Sequence, residues 1–359
     1  MGASRPAPWI VPKKCAANPL RIFCWELERF SAFYETKDSP GAAKYDAATF
    51  SGLTTGMTTE HPDQKALAEL LARPYSVQTQ SEIARLLNKG GSNPDHNFAS
   101  EEHFERTMHF LSVISSKIVG VEMSVSHSLA SAVLGRICVT SLSVQDLFRG
   151  HEAGRLPFLD HVSIAILCRS IIEASIMYWY LMEVVDDEEW AFRYQVLCVH
   201  DGASRVRLFK PLVGDTADNQ REILKKLREE LSATSLFKRR PEQQRAKLRA
   251  GETLYVNGMR SVVASMNFDE QYFDSIYNYL SAYTHTSPLS YFRDGQDFHA
   301  FDEEYWRRTF AQIALHHAWI MMLRVALREM DASSLQDHFD PELVKEARRM
   351  ASIRPQSAA

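Results

Sequence analysis

Strand patterning is nearly absent from this 359-residue chain. No six-residue stretch alternates apolar and polar residues with β-branched enrichment and turn signals, apart from a weak piece at Leu254–Val256, so an all-α fold is expected. The chain also lacks a Gly-x-x-x-x-Gly-Lys phosphate loop and a Gly-x-Ser-x-Gly elbow, which sets aside P-loop nucleotide hydrolysis and α/β-hydrolase chemistry. Cysteine is scarce: five thiols (Cys15, Cys24, Cys138, Cys168, Cys198) are odd in number and far apart. They read as free thiols in a reducing cytosol. With no Cys-x-x-Cys or Glu-x-x-His pair, and with His316 and His317 adjacent and so on different helix faces, no metal and no cofactor is expected. Excess charge of one sign is missing too, because 41 basic and 45 acidic residues leave a net charge of −4. Any site for a polyanion must therefore be local.

Uninterrupted membrane-length apolar runs are lacking as well. The most apolar window, Val162 to Val185, holds Arg169 and Glu173, each of which costs about 2.5–3.5 kcal/mol at a bilayer centre. It reads as a buried helix, and no membrane partner is expected. Met1 to Lys14 has three prolines and no apolar core, unlike a secretory signal, so the expected location is cytoplasmic. No period of 20 to 50 residues repeats, which disfavours a solenoid.

What is present is helical periodicity. Residues 1–99 read as a loop-rich region with short helices at Leu20–Tyr34, Asp63–Ala72 and Gln80–Asn88, the last closed by Gly90-Gly91. An irregular helical bundle is expected over 100–332, then a C-terminal helix and a disordered tail over 333–359. Within the bundle, one long helical stretch from Ser100 to about Phe148 is rich in serine, alanine and glycine. Helices at Leu159–Val185 and Glu188 to about Val213 follow, then a charged hairpin at Gln220–Ala250 broken by Pro241. A short helix at Phe268–His285 and a long one at Asp302–Met330 complete it.

Two ionisable side chains in an oily helix stand out. Arg169 and Glu173, four residues apart, share a face and can pair. Burying them costs several kcal/mol per ion unless other polar groups converge on them. Ser281 and His285, which share a face of the Phe268–His285 helix, are the expected company, so that helix should pack against Val162–Val185. His285, near a helix C-terminus, suits an acid–base role. A buried network that fixes helix register is the plainer alternative.

The Arg-x-x-x-Glu helix from Arg169, the aromatic stretch Tyr178 to Tyr180, the Trp190-Ala-Phe-Arg-Tyr194 segment and Tyr-x-x-Leu-Ser-x-x-x-His-x-Ser from Tyr277 resemble a bacterial domain family of unknown function. The resemblance spans roughly residues 110–330 and implies an all-α fold with a polar cluster. The segment around His285 is more distantly similar to the motif helix of HEPN-type ribonucleases, whose Arg-x(4 to 6)-His pair works at a dimer interface. This sequence departs from that pattern, since Asn278, Leu280 and Ser281 stand where the arginine belongs.

That resemblance implies metal-independent RNA cleavage or RNA binding in stress or phage defence, with a homodimer as the assembly. In such chemistry histidine moves the 2′-hydroxyl proton and arginine stabilises the phosphorane oxygens. Three pairs fit the spacing, about as many as chance supplies: Arg155 with His161, Arg193 with His200, and Arg293 with His299. Arg193 and His200 are favoured because they lie two turns apart near a basic segment. From Arg205 to Arg249 that segment holds 13 basic and 6 acidic residues. Lys225, Arg228, Lys238, Arg239 and Arg240 would meet RNA phosphates there, and a solvated hairpin is the alternative. Ala66–Leu71 and Thr79–Asn88 also resemble the first two helices of a winged-helix domain, but the expected recognition segment, Asn93–His103, is acidic and contains Pro94. The rival to the RNA reading is a non-enzymatic helical interaction or sensor protein.

Overall fold

The computed structural model describes residues 101–209, 215–268, 270–285 and 303–352. The expected N-terminal helices, the winged-helix-like segment, the Arg293–His299 pair and the C-terminal tail lie outside the described residues. Among these residues there are helices and turns but no strand, in agreement with the all-α expectation. Leu254–Val256 lies in turns, where the Val256 amide approaches the Tyr180 hydroxyl at 3.4 Å.

The helices are α1 (Glu101–Lys117), α2 (Val125–Glu152), α3 (His161–Leu181), α4 (Asp187–Phe209), α5 (Asp215–Ala233) and α6 (Ser235–Lys238). They continue as α7 (Glu242–Ala250), α8 (Met259–Ser265), α9 (Glu270–Thr284), α10 (Glu303–Ala332) and α11 (Pro341–Ser352). The single stretch expected from Ser100 to Phe148 is two helices. Gly120 at φ +80° breaks it, and Ser124 restarts it by accepting a hydrogen bond from the His127 amide at 3.2 Å. A serine with extended backbone at that position satisfies one of the orphan amides of a new helix. The charged hairpin is likewise three helices rather than two, because Thr234 caps a separate turn by accepting the Phe237 amide at 3.3 Å.

The chain divides into two compact units, one built from residues up to Tyr178 and from Gln271 onward, the other from Trp179 to Glu270. In the first, α10 runs alongside α1, and α11 folds back on it. Length and composition alone would let three helices cross a membrane: Val125–Glu152, His161–Leu181 and Glu304–Ala332. Their apolar stretches differ in surroundings, being 39%, 44% and 94% buried respectively. α10 is thus a core helix, surrounded by protein, as a helix apolar on all sides must be in water. It sinks Ile313, Leu315, Trp319, Met322 and Val325, together with His316 and His317. His317 is satisfied there, with Nδ1 2.7 Å from the Ile313 carbonyl and Nε2 2.7 Å from the Tyr272 hydroxyl. Its pKa is pushed down to about 4 by burial, partly countered by that carbonyl.

The second unit packs Phe192, Val196, Val199 and Ala203 of α4 against Leu224 and Leu231 of α5, Phe237 of α6, Leu248 of α7 and Val256. Gly251 ends α7 at φ +73°. A Cβ there would lie 2.5 Å from the Ala203 Cβ and 3.0 Å from the Val199 carbonyl oxygen. Both the left-handed backbone and the close approach demand glycine.

Gly251→Ala is expected to destabilise the protein by about 2–4 kcal/mol, since strain and overpacking add. A chemical-denaturation midpoint within a few tenths of a kcal/mol of wild type would contradict this account of the α4–α7 junction. A second expectation concerns His317, whose folded pKa is depressed, so protonation favours the unfolded chain. Stability should fall as pH drops from about 6.5, the unfolded value, toward about 4. Denaturation curves for His317→Phe should lose part of that slope.

Candidate polar sites

α3 places Arg169 and Glu173 one turn apart, and α9 brings Tyr277 across to both. The Arg169 Nε donates to Glu173 Oε1 at 3.1 Å and its Nη2 to the Tyr277 hydroxyl at 3.1 Å. That hydroxyl in turn donates to Glu173 Oε1 at 2.7 Å. The guanidinium also lies over the Tyr277 ring, 4.7 Å from its centroid, and Phe273 stacks on the same ring at 5.5 Å. Burial, with the Glu173 hydrogen bond adding to it, pushes the Tyr277 hydroxyl above its ordinary pKa. It therefore stays a proton donor.

The expectation of two buried charges holds for one of them. The Arg169 side chain is 13% exposed, whereas that of Glu173 is 45% exposed and reaches water. The helices meet as expected, but the link runs through Tyr277. The Ser281 hydroxyl donates to the Tyr277 backbone carbonyl of its own helix at 2.6 Å, the local bond short hydroxyl side chains favour in helices. His285 follows the end of α9 and is exposed, its amide bonded to the Ser281 carbonyl at 3.1 Å. One donor of the centre is left over, because the buried Arg169 Nη1 has no hydrogen-bond partner among the described residues.

Arg193 on α4 is engaged on three sides. Its Nε donates to Glu189 at 2.8 Å, its Nη1 to Glu183 at 2.7 Å, and the guanidinium lies 4.7 Å from the Tyr180 ring centroid. These contacts point toward the start of α4, away from His200. His200 lies on the stretch of α4 that faces the end of α7, with its Cα 3.5 Å from the position of a Cβ on Gly251. Its buried Nδ1 has no partner among the described residues. In the third pair, His161 is buried against Tyr283 and Phe310, while Arg155 is exposed.

The basic residues are drawn together by folding. The Arg228 Nε donates to the Arg249 carbonyl at 2.8 Å, and the Arg249 guanidinium lies 5.4 Å from the ring centroid of Phe237. Lys238 and Arg239, next in the chain, are exposed, as is Lys225 on α5. Arg240 turns inward, over the Phe192 ring and onto Asn257 Oδ1 at 3.1 Å.

A second polar centre was not foreseen from the sequence. Glu329 of α10 is 0% exposed. Its Oε1 meets His127 Nε2 at 2.6 Å and the Ser333 hydroxyl at 2.6 Å, and its Oε2 accepts from Tyr178 at 2.7 Å. Burial alone would raise its pKa, but the bonds from His127, Ser333 and Tyr178 hold it below the ordinary value. Tyr178 is pushed well up, by burial first and then by Glu329. One ionised carboxylate thus joins the start of α2, the end of α3 and the end of α10. Its signal in the sequence was an acid at the apolar end of a long helix, masked by Arg324 and Arg328 nearby.

Residues 127–301 match the model of a family of unknown function (DUF5677). The matched span contains His127, Arg169, Glu173, Tyr178 and Tyr277 and stops short of Glu329. No curated protein and no solved structure matches the chain.

Glu329→Gln is expected to cost about 3 kcal/mol, as removal of the charge from a buried hydrogen-bonded set does. Because the folded pKa of Glu329 is depressed, its contribution is present above the unfolded carboxylate value of about 4.3 and lost as pH falls through the folded value. Acid titrations of stability should show a shallower fall in the variant, and identical slopes would refute the ionised assignment. At the other centre, Tyr277→Phe should cost about 1–2 kcal/mol by removing a hydroxyl shared by two partners. Glu173→Gln should cost at most about 1 kcal/mol, since that carboxylate is hydrated. The order of the two denaturation midpoints checks this.

Proposed function

We propose that this chain is a bacterial cytosolic RNA-binding protein of HEPN-like kind that cleaves RNA without a metal, in stress or phage defence. The observation that carries the reading is that folding brings Arg228 onto the Arg249 carbonyl and the Arg249 guanidinium over Phe237, the residue that exposed Lys238 and Arg239 follow in the chain. Those cations come from three helices and the turn between two of them, yet they share one neighbourhood. A phosphate backbone binds such a cluster by releasing its counterions.

His200 is the acid–base group this reading favours over His285, because α4 carries it past Gly251, two residues beyond Arg249. In the step envisaged, the imidazole takes the 2′-hydroxyl proton as that oxygen attacks the adjacent phosphorus. The bond from phosphorus to the 5′-oxygen breaks, that oxygen takes the proton back from the imidazolium, and a 2′,3′-cyclic phosphate remains. An arginine of the cluster stabilises the phosphorane oxygens. Arg193, already held by Glu183 and Glu189, fixes the start of α4. The buried free thiols Cys138 and Cys168 support a reducing compartment. The burial of α10 and the charged pair on α3 support an aqueous location.

A second reading, a helical interaction or sensor protein without catalysis, is favoured by the mutual bonding of Arg169, Glu173 and Tyr277. In it, both polar centres specify packing.

Purified protein incubated with total RNA and a chelator is expected to yield fragments ending in cyclic phosphate. His200→Ala should abolish cleavage while leaving binding and melting temperature intact. Lys238→Glu with Arg239→Glu should weaken RNA binding at least tenfold and flatten its salt dependence by roughly 0.7 log units for each phosphate no longer neutralised. Binding without cleavage would leave only the RNA-binding part, and absence of binding at low salt would sink both.

A further inference from the structure

The face of α2 turned away from the core carries four apolar positions among seven exposed ones. Only 39% of the apolar stretch of this helix is buried, and between Val125 and Asp146 its exposed positions are Val125, Leu129, Ala132, Arg136, Val139, Ser143 and Asp146. They recur at alternating steps of four and three, the 3.5-residue period along which a second helix stays in register. Hydroxyls on this side are turned back to their own helix, Thr140 onto the Arg136 carbonyl at 2.9 Å and Ser143 onto that of Val139 at 3.3 Å. The face therefore presents methyl and methylene surface, with Val125 60% and Val139 44% exposed.

Two charges interrupt it, Arg136 and Asp146, and neither has an ion pair among the described residues. Their placement selects the occupant. A bilayer would have to solvate both in hydrocarbon. A second copy, laid antiparallel about a two-fold axis near Ser141, brings each Arg136 opposite the other copy's Asp146, so the contact is self-complementary. Val139 then falls beside Ser143 of the second copy. Val125 and Leu129 reach the turn after α2, where Phe158 is 47% exposed.

We infer that α2 is the homodimer interface of this protein, an antiparallel helix pair closed by two Arg136–Asp146 bridges. The contact of one helix pair and a flanking turn is small, so a monomer–dimer equilibrium in the micromolar range is expected.

Sedimentation equilibrium of the full chain across a hundredfold concentration range tests this. Wild type should dimerise. Arg136→Asp and Asp146→Arg should each weaken association at least tenfold, and the two together should restore it to within about threefold of wild type. Val139→Glu should leave a monomer with unchanged circular dichroism. A chain that stays monomeric throughout would overturn the inference, including the case in which its own residues 1–100 cover the face. So would a dimer indifferent to the charge reversals, or a wild type that floats with neutral phosphatidylcholine vesicles through this helix.

Discussion

The first unit depends on a constraint that α10 imposes. A long helix whose apolar stretch is almost wholly buried must be surrounded, and the carboxylate buried on it, Glu329, must find donors inside the protein. His127, Tyr178 and Ser333 supply them. Because an unsatisfied buried carboxylate is far costlier than any single apolar contact, these bonds fix where α2 begins and where α3 ends. Hydrophobic burial alone would tolerate sliding along α10; the hydrogen bonds do not.

The two polar centres on this unit obey the same rule with different results. At Glu329 the charge is fully buried and every oxygen is engaged. At Arg169 the carboxylate partner is half hydrated, and one guanidinium nitrogen remains without an acceptor among the described residues. The first centre is complete in itself, while the second has donor capacity to spare. In the second unit the polar groups are distributed otherwise: acids at the start of α4 clasp Arg193, while the cations of α5 to α7 extend toward solvent.

Helix content was readable because 3.6-residue periodicity survives without knowledge of partners, and α3, α4, α9 and α10 lie within a few residues of where it puts them. The break at Gly120 was harder to see, since Ser124 looked like one more small residue in a serine-rich stretch rather than a cap. Arg169 and Glu173 were visible as charges in an oily segment. Their partner was not: Tyr277 and Ser281 sit one turn apart on one face, and only the longer side chain reaches across to α3. The Glu329 centre is not legible in the sequence because two of its three donors, His127 and Tyr178, lie 202 and 151 positions away, and pairings at such separations leave no periodic trace. The clustering of Arg228 with Arg249 is of the same kind, since charge counting finds the cations and only folding shows which of them meet.

The first unit is discontinuous in sequence, and this orders events on the ribosome. Residues Trp179–Glu270 form a compact unit contiguous in sequence, so this middle portion can begin to consolidate while synthesis continues. α2 and α3 emerge earlier but have to wait for α10, whose Glu329 follows Tyr178 by 151 positions. During that interval His127 and Tyr178 are without their acceptor, and the apolar surfaces awaiting α10 are open. Nascent chains stalled before residue 329 therefore display apolar surface that the finished protein hides.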